Sequence, residues 1–249
     1  WLADAYSQVG YLLNFKGNAI NAYDYFKQAE ALAKDEKNEK SNWHYWVFSN
    51  ARNLREARLS ILAMNFNGIV SLLGNMGDME KRNEAMEEMR RIGEKINNGK
   101  ILANYYGNIA FQHATDSSIQ YIRKAIQYSK AANYNINLVN DLNNLSKRFF
   151  SKNMVDSALH YAYLSAAAGE EQKNLRLLDG TYYTLALFHG TITENYDSAL
   201  FYAKKILSTA ETTQVPSDFA NAYFALAKVY DVKNNTDSAL RYEQLYSAL

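Results

Sequence analysis

Histidine and carboxylate are the side chains here that could move protons or hold a metal, and their placement argues against both. His44, His113, His160 and His189 fall in four separate stretches of the chain, with no pair at the short spacing that brings two ligands to one ion. Acids such as Glu87-Glu88 and Glu170-Glu171 are direct neighbours, so on a helix they point apart and cannot work together. Glu87 and Arg91, four apart in the mixed 80–95 run, stand in the order that suits a surface ion pair. The chain carries no phosphate-binding glycine loop, no nucleophile elbow and no HExxH. Catalysis, metal and cofactor are therefore not expected. The chemistry left is recognition, by carboxamides, lysines and aromatic rings.

The totals bound the partners. A formal charge of +1 across 249 residues argues against nucleic acid or an anionic membrane as the main target. There is no cysteine, so disulfides and thiolate metal sites are excluded while any compartment is allowed. No apolar run is expected to span a bilayer. The chain opens on Trp1 and closes on Leu249 inside an expected helix, which reads as a fragment of a longer protein, periplasmic or cytoplasmic.

Apolar residues recur three and four apart almost everywhere, and Pro216 is the single proline, so the chain is all-α. One phrase repeats four times: DSSIQY at 116–121, DSALHY at 156–161, DSALFY at 197–202 and DSALRY at 237–242. Its small residue, at Ser118, Ala158, Ala199 and Ala239, advances by 40, 41 and 40. A period of that size marks a stack of helix pairs, none able to bury its own apolar face alone. Asn153 and Asn234, three residues before the recurring Asp156 and Asp237, are expected as helix N-caps, with the acid favoured by the helix dipole.

The last unit is the clearest. Tyr223, Leu226, Ala227 and Tyr230 lie on one helix, Ala239 on the next, and Pro216 stands where a helix should start. These spacings resemble the tetratricopeptide repeat, in which a small residue on helix A meets an alanine on helix B. The same template runs through Tyr6, Val9, Gly10, Leu13, Ala22, Phe26 and Ala29, then Asn67-Gly68 with the turn Gly77-Asp78 and a helix through Met86 and Met89. It continues through Gly107, Ala110 and Ser118, then Leu142, Leu145, Ser146, Phe149 and Ala158, then Tyr182, Leu185, Ala186 and Ala199 with one extra turn residue. The resemblance implies one superhelical domain of six units, at 1–36, 58–97, 99–134, 138–172, 177–212 and 217–249. Two departures stand out: a period near 40 in place of the family's 34, and a surplus at 41–57. That surplus, with Trp43, Tyr45, Trp46 and Phe48, is expected to form an odd helix that either plugs the step between units or exposes an aromatic patch. His189, at an aromatic position of helix A, is expected in or near the core.

In tetratricopeptide arrays helices A line a concave groove, and residues three before and one after the small position look into it. Three before stand Asn65, Asn104 and Asn143, flanked in other units by Ser7, Tyr183 and Phe224. The carboxamides would both donate to and accept from an extended backbone, and the groove would turn aromatic toward its C-terminal end. Bonding between helices is the competing use of the same asparagines. One after stand Tyr11, Asn108, Lys147 and Lys228, the lysines suited to a carboxylate. The wording of the repeats resembles the tetratricopeptide regions of Bacteroidetes-type sensor histidine kinases and helix-turn-helix regulators. That implies a signal-transduction module that binds a peptide or protein; the alternatives are a scaffold that self-associates, as a homodimer for instance, and a soluble receptor for short signalling peptides.

Overall fold

A computed structural model describes residues 2–42, 51–172 and 175–249, and all regular structure among these is helical. The chain divides into two compact units, Trp1–Ile109 and Ala110–Leu249. The first holds α1 (Leu2–Phe15), α2 (Ala19–Lys34), a 3-10 helix (Glu36–Asn42), α3 (Leu54–Met76), α4 (Met79–Lys95) and α5 (Gly99–Ala110). The second holds α6 (Thr115–Ala131), α7 (Asn135–Ser151), α8 (Val155–Glu171), a 3-10 turn (Leu175–Leu178), α9 (Asp179–Thr191), α10 (Tyr196–Thr213), α11 (Pro216–Val232) and α12 (Thr236–Ser247). Pro216 takes the first helical position of α11, where its missing N–H costs nothing. The aromatic segment Trp43–Phe48 lies outside the described residues; the end of the expected odd helix, from Leu54, belongs to α3.

Helices pair as antiparallel neighbours, and small residues set how closely. Phe26 of α2 is fully buried between two helices: a Cβ built on Gly10 of α1 would sit 2.7 Å from its ring, and one on Gly68 of α3 would sit 2.5 Å away. Only glycine lets both helices close on that ring. In the second unit alanine and serine take this role. Ser146 of α7 donates to the Ala158 carbonyl of α8 at 2.8 Å, and Ala186, Ala199, Ala227 and Ala239 are buried in their helix pairs.

Many of the turns share one joint: a residue in the left-handed region, then a cap, then the next helix. Asn97, Asn133, Asn153, Glu194 and Asn234 have positive φ, as do Gly17 and Gly77. This corrects the reading of Asn153 and Asn234 as N-caps. Each ends the preceding helix, its N–H donating back to Phe150 or Asp231, and the cap is the following residue. Asn235 is such a cap, accepting from the Ser238 N–H, while Met154 at the other site has no capping side chain. The recurring Asp stands in the first turn of its helix, as at Asp116, Asp156, Asp197 and Asp237, where the dipole favours it.

α3 bears on the membrane expectation. At 23 residues and a window hydropathy of 1.3 it is long and apolar enough to cross a membrane by length and composition alone. Yet 67% of that window is buried inside the unit, where α1, α2 and α4 pack on it, so it serves as a core helix. Two guanidiniums finish this core. Arg58 donates to the Ala33 carbonyl at 2.8 Å and pairs with Glu36 and Glu39, closing the C-terminal end of α2. Arg82 is buried beside Gly74 and donates to the Asn108 carbonyl, so it sits at the C-terminal ends of α3 and α5, whose dipoles favour a cation. Burial holds its pKa below the ordinary arginine value.

Candidate functional site

Within each unit first helices lie side by side, α1 against α3 in the first and α7, α9 and α11 in turn in the second, and the residues proposed for recognition are spread along them. In the first unit the row turns inward. Asn65 is 0% exposed; its Oδ1 accepts from Ser7 at 2.8 Å and its Nδ2 donates to the Phe26 carbonyl at 2.9 Å. Ser7 and Asn65, each three before a small residue, thus bond to one another. The expectation that Asn65 faces a guest is corrected: its carboxamide fastens α1 and α2 to α3. One step along, Tyr11 donates to the Met64 carbonyl at 2.6 Å, and the Asn108 amide donates to Asn67 at 2.8 Å. Asn67 lies 3.5 Å from the Tyr11 hydroxyl, so three helices share one polar row. Asn104 is half-buried and already engaged.

In the second unit the row stays open. Asn143 of α7 is buried against Gly180 at the start of α9, and its Oδ1 has no hydrogen-bond partner among the described residues. One turn on, Lys147 is solvent-accessible and makes no ion pair among the described residues. The protein around its ammonium still desolvates it and holds its pKa below the ordinary lysine value. A cation reached by solvent, partly stripped of water and lacking a counter-ion is a place where an anion gains by docking.

Beyond Lys147 the surface becomes aromatic. Tyr183 of α9 meets Phe224 of α11 with ring centroids 5.7 Å apart, and Phe224 meets Tyr246 of α12 at 5.8 Å. Phe224 and Tyr246 remain 39% and 47% exposed. Lys228 lies over the Phe224 ring at 5.6 Å and makes no ion pair among the described residues. Burial raises the Tyr183 pKa, keeping its hydroxyl neutral. The structure therefore brings Tyr183, Phe224 and Lys228 into one cluster, with Lys147 and Asn143 on a neighbouring helix. Tyr246 was missed from sequence, since it belongs to a second helix of a pair and not to the row of first helices.

Two of the groups that might have carried chemistry, His189 and Glu87, are engaged by their neighbours. His189 is buried, bonded through Nε2 to the Tyr163 hydroxyl at 2.7 Å and stacked on Tyr202, and burial lowers its pKa. Glu87 pairs with Arg90 and Arg91 on the surface of α4. Asp141 of α7 was also missed: it is buried, its Oδ2 has no partner among the described residues, and desolvation pushes its pKa up to about 8. No group of three or more His, Asp or Glu among the described residues is arranged to hold a metal.

No protein-family model matches this sequence, and no curated protein sequence matches it. Among solved structures the chain is similar to BtubC (BKLC) from P. vanneervenii, at 14% identity and a TM-score of 0.64 over 90% of this chain and 91% of that one. It is similar to the apo form of RapI at 13% identity and a TM-score of 0.58, covering 100% and 97% of the two chains. Aspartyl phosphate phosphatase F from Bacillus subtilis shares 14% identity and a TM-score of 0.58, covering 99% of this chain and 73% of that one. All three are helical-repeat proteins, and at these identities the likeness establishes an all-helical repeat fold.

Proposed function

We propose that this chain is a non-catalytic binding module of tetratricopeptide type, which grips an extended segment of a peptide or protein on the second unit. The observation that carries the reading is the pairing of two uncompensated lysines, Lys147 and Lys228, with the exposed Tyr183–Phe224–Tyr246 row. Such a surface offers charge to a carboxylate and flat apolar area to the side chains beside it. Asn143 extends the same face, while Asn65 and Asn108 are bonded to other helices inside the first unit. The repeat wording supports a place in bacterial signal transduction, as the sensory or regulatory part of a larger protein, with no nucleic acid contacted.

The test uses a fluorescein-labelled extended peptide carrying two aspartates and a C-terminal phenylalanine. Saturable binding that weakens with salt, and falls about tenfold or more in Lys147→Ala and Phe224→Ala, is the expected result. Salt-independent binding, or an affinity in either variant unchanged from that of the parent chain, counts against it. A second reading, self-association, is favoured by the exposed Leu240, Leu245, Tyr246 and Leu249 at α12. Light scattering separates the two: a monomer at all concentrations leaves the peptide-binding reading standing.

A further inference from the structure

The first unit has a small recess where the start of α3 meets the end of α4, away from the residues discussed so far. It holds about 210 Å³. The N-cap Asn53 and the first-turn residues Arg55 and Glu56 reach it from α3, with buried Leu59 one turn deeper. Lys95 and Ile96 reach it from the end of α4, and Arg52, just ahead of α3, completes the lining.

Arg52 is fixed on one side and free on the other. Its backbone N–H and Nε both donate to Glu56, at 3.0 and 2.8 Å, and its Nη2 donates to the Ile96 carbonyl at 2.8 Å. These bonds cover the Ile96 carbonyl and one Glu56 oxygen, the groups here that would turn an anion away. Nη1 has no partner among the described residues. The guanidinium is thus held in position by the protein, with one nitrogen to spare for a guest.

The recess carries more positive charge than the protein neutralises. Arg52, Arg55 and Lys95 stand against Glu56 alone, a surplus of two. Arg55 and Lys95 are exposed and make no ion pair among the described residues. The larger hollow between α2 and α4 is different: four cations there face four carboxylates, Lys27 and Lys34 sharing Glu30. Like charges gathered at one hollow repel unless an anion lies between them, and the N-terminal dipole of α3 adds to the same field. Guanidinium and ammonium groups together take oxyanions. The volume is below the roughly 300–1,000 Å³ of drug-sized sites, so the guest is small. A phosphate group, at about −1.5 to −2 near neutral pH, matches the surplus, whereas a single carboxylate would leave half of it unmet.

We propose that this recess binds a phosphate group, free or on a small ester, between Arg52, Arg55 and Lys95. Arg52 sets its position through Nη1, and Arg55 and Lys95 close on it from α3 and α4. Because its ligands come from both helices, the guest fastens the start of α3 to the end of α4 and stabilises the folded chain. This inference is independent of the peptide surface on the second unit.

Isothermal titration calorimetry on the full chain at constant ionic strength tests it with inorganic phosphate, glycerol 3-phosphate and succinate. Saturable one-to-one binding of a phosphate is expected, with succinate about tenfold weaker, since its charges sit at opposite ends. A tighter glycerol 3-phosphate supports an ester as the guest, and a tighter inorganic phosphate supports the free ion. Arg55→Gln and Lys95→Gln should each weaken binding about fivefold, and the two together should abolish it. Neither side chain pairs with another charge among the described residues, so thermal melts without ligand should match the parent chain. Lys27→Gln, a cation outside the recess, should leave binding unchanged. Affinity should fall as pH drops from about 7.5 to 5.5, because the phosphate takes up its second proton near pH 6 while arginine and lysine stay charged. No saturation below about 20 mM phosphate, succinate bound as tightly as phosphate, or affinity unmoved in Arg55→Gln/Lys95→Gln would overturn the proposal.

Discussion

Asn65 in the first unit and Asn143 in the second hold the same place in their repeats, three residues before a small residue, yet they meet different surroundings. Asn65 is enclosed by Ser7 and the Phe26 carbonyl, and both ends of its carboxamide are satisfied. Asn143 keeps an acceptor without a partner among the described residues, and the row beyond it opens through Lys147 to Phe224. The difference begins in the core. Two glycines close on Phe26 in the first unit and draw α1, α2 and α3 close enough for polar side chains to reach one another. The second unit's own tight glycine, Gly169, closes on Leu178 from a second helix. At the small positions of this row that unit has Ser146, Ala186 and Ala227, and longer side chains fill the row. A repeat can thus use the same positions to bind itself or to leave them for a guest.

The sharpest way to break this contrast is at Phe26. Phe26→Ala should cost about 3–5 kcal/mol, read as a lower urea midpoint, because both glycine faces lose their partner. Gly68→Ala should cost about 1–3 kcal/mol by overpacking, since its Cβ would fall inside the ring's contact distance. Gly190, in the second unit, meets nothing closer than 3.6 Å, so Gly190→Ala should be near neutral. If the two glycine variants melt alike, the proposed difference in closeness is wrong.

At the paired asparagines, Asn65→Ala should lose about 1–3 kcal/mol by stranding a buried hydroxyl and a buried carbonyl, with no change in peptide binding. Asn143→Ala should do the reverse, weakening peptide binding while far-ultraviolet circular dichroism stays the same. Asp141 gives a pH test confined to the second unit. Its folded pKa of about 8 exceeds the unfolded value of about 3.9, so the native state binds the extra proton. Stability should therefore fall as pH rises from about 4 to 8 and level off above. Asp141→Asn should flatten that slope in urea melts taken at each pH. The smallest effect is at the surface, where Arg91→Ala should shift stability by at most about 0.5 kcal/mol.

Much of the scaffold was legible because it repeats. The DSAL phrase, the small residues, Pro216, the Gly77-Asp78 turn and the buried His189 each follow from local spacing, and each is found in place. Placing the caps failed by one residue at Asn153 and Asn234, because asparagine suits both a cap and a left-handed joint, and only backbone angles separate them. The candidate site was half legible. Spacing from the small residue gives a face of the helix, and Tyr183, Phe224 and Lys228 on that face are neighbours in space. It does not say whether a neighbouring helix covers that face, as α1 and α2 cover Asn65. Buried Arg58, Arg82 and Asp141 had no local signature, since what neutralises or strands them is far away in the chain.

The joints between helices differ between the units in one respect. Gly17 and Gly77 serve two turns of the first, where Asn97 serves a third, whereas Asn133, Asn153, Glu194, Gln214 and Asn234 serve turns of the second. A residue with a side chain has fewer conformations to give up than glycine, so such elbows lose less disorder when they set. An open row of side chains mounted on elbows of this kind is held ready before any visitor arrives, and little of the contact energy is then spent on arranging the host.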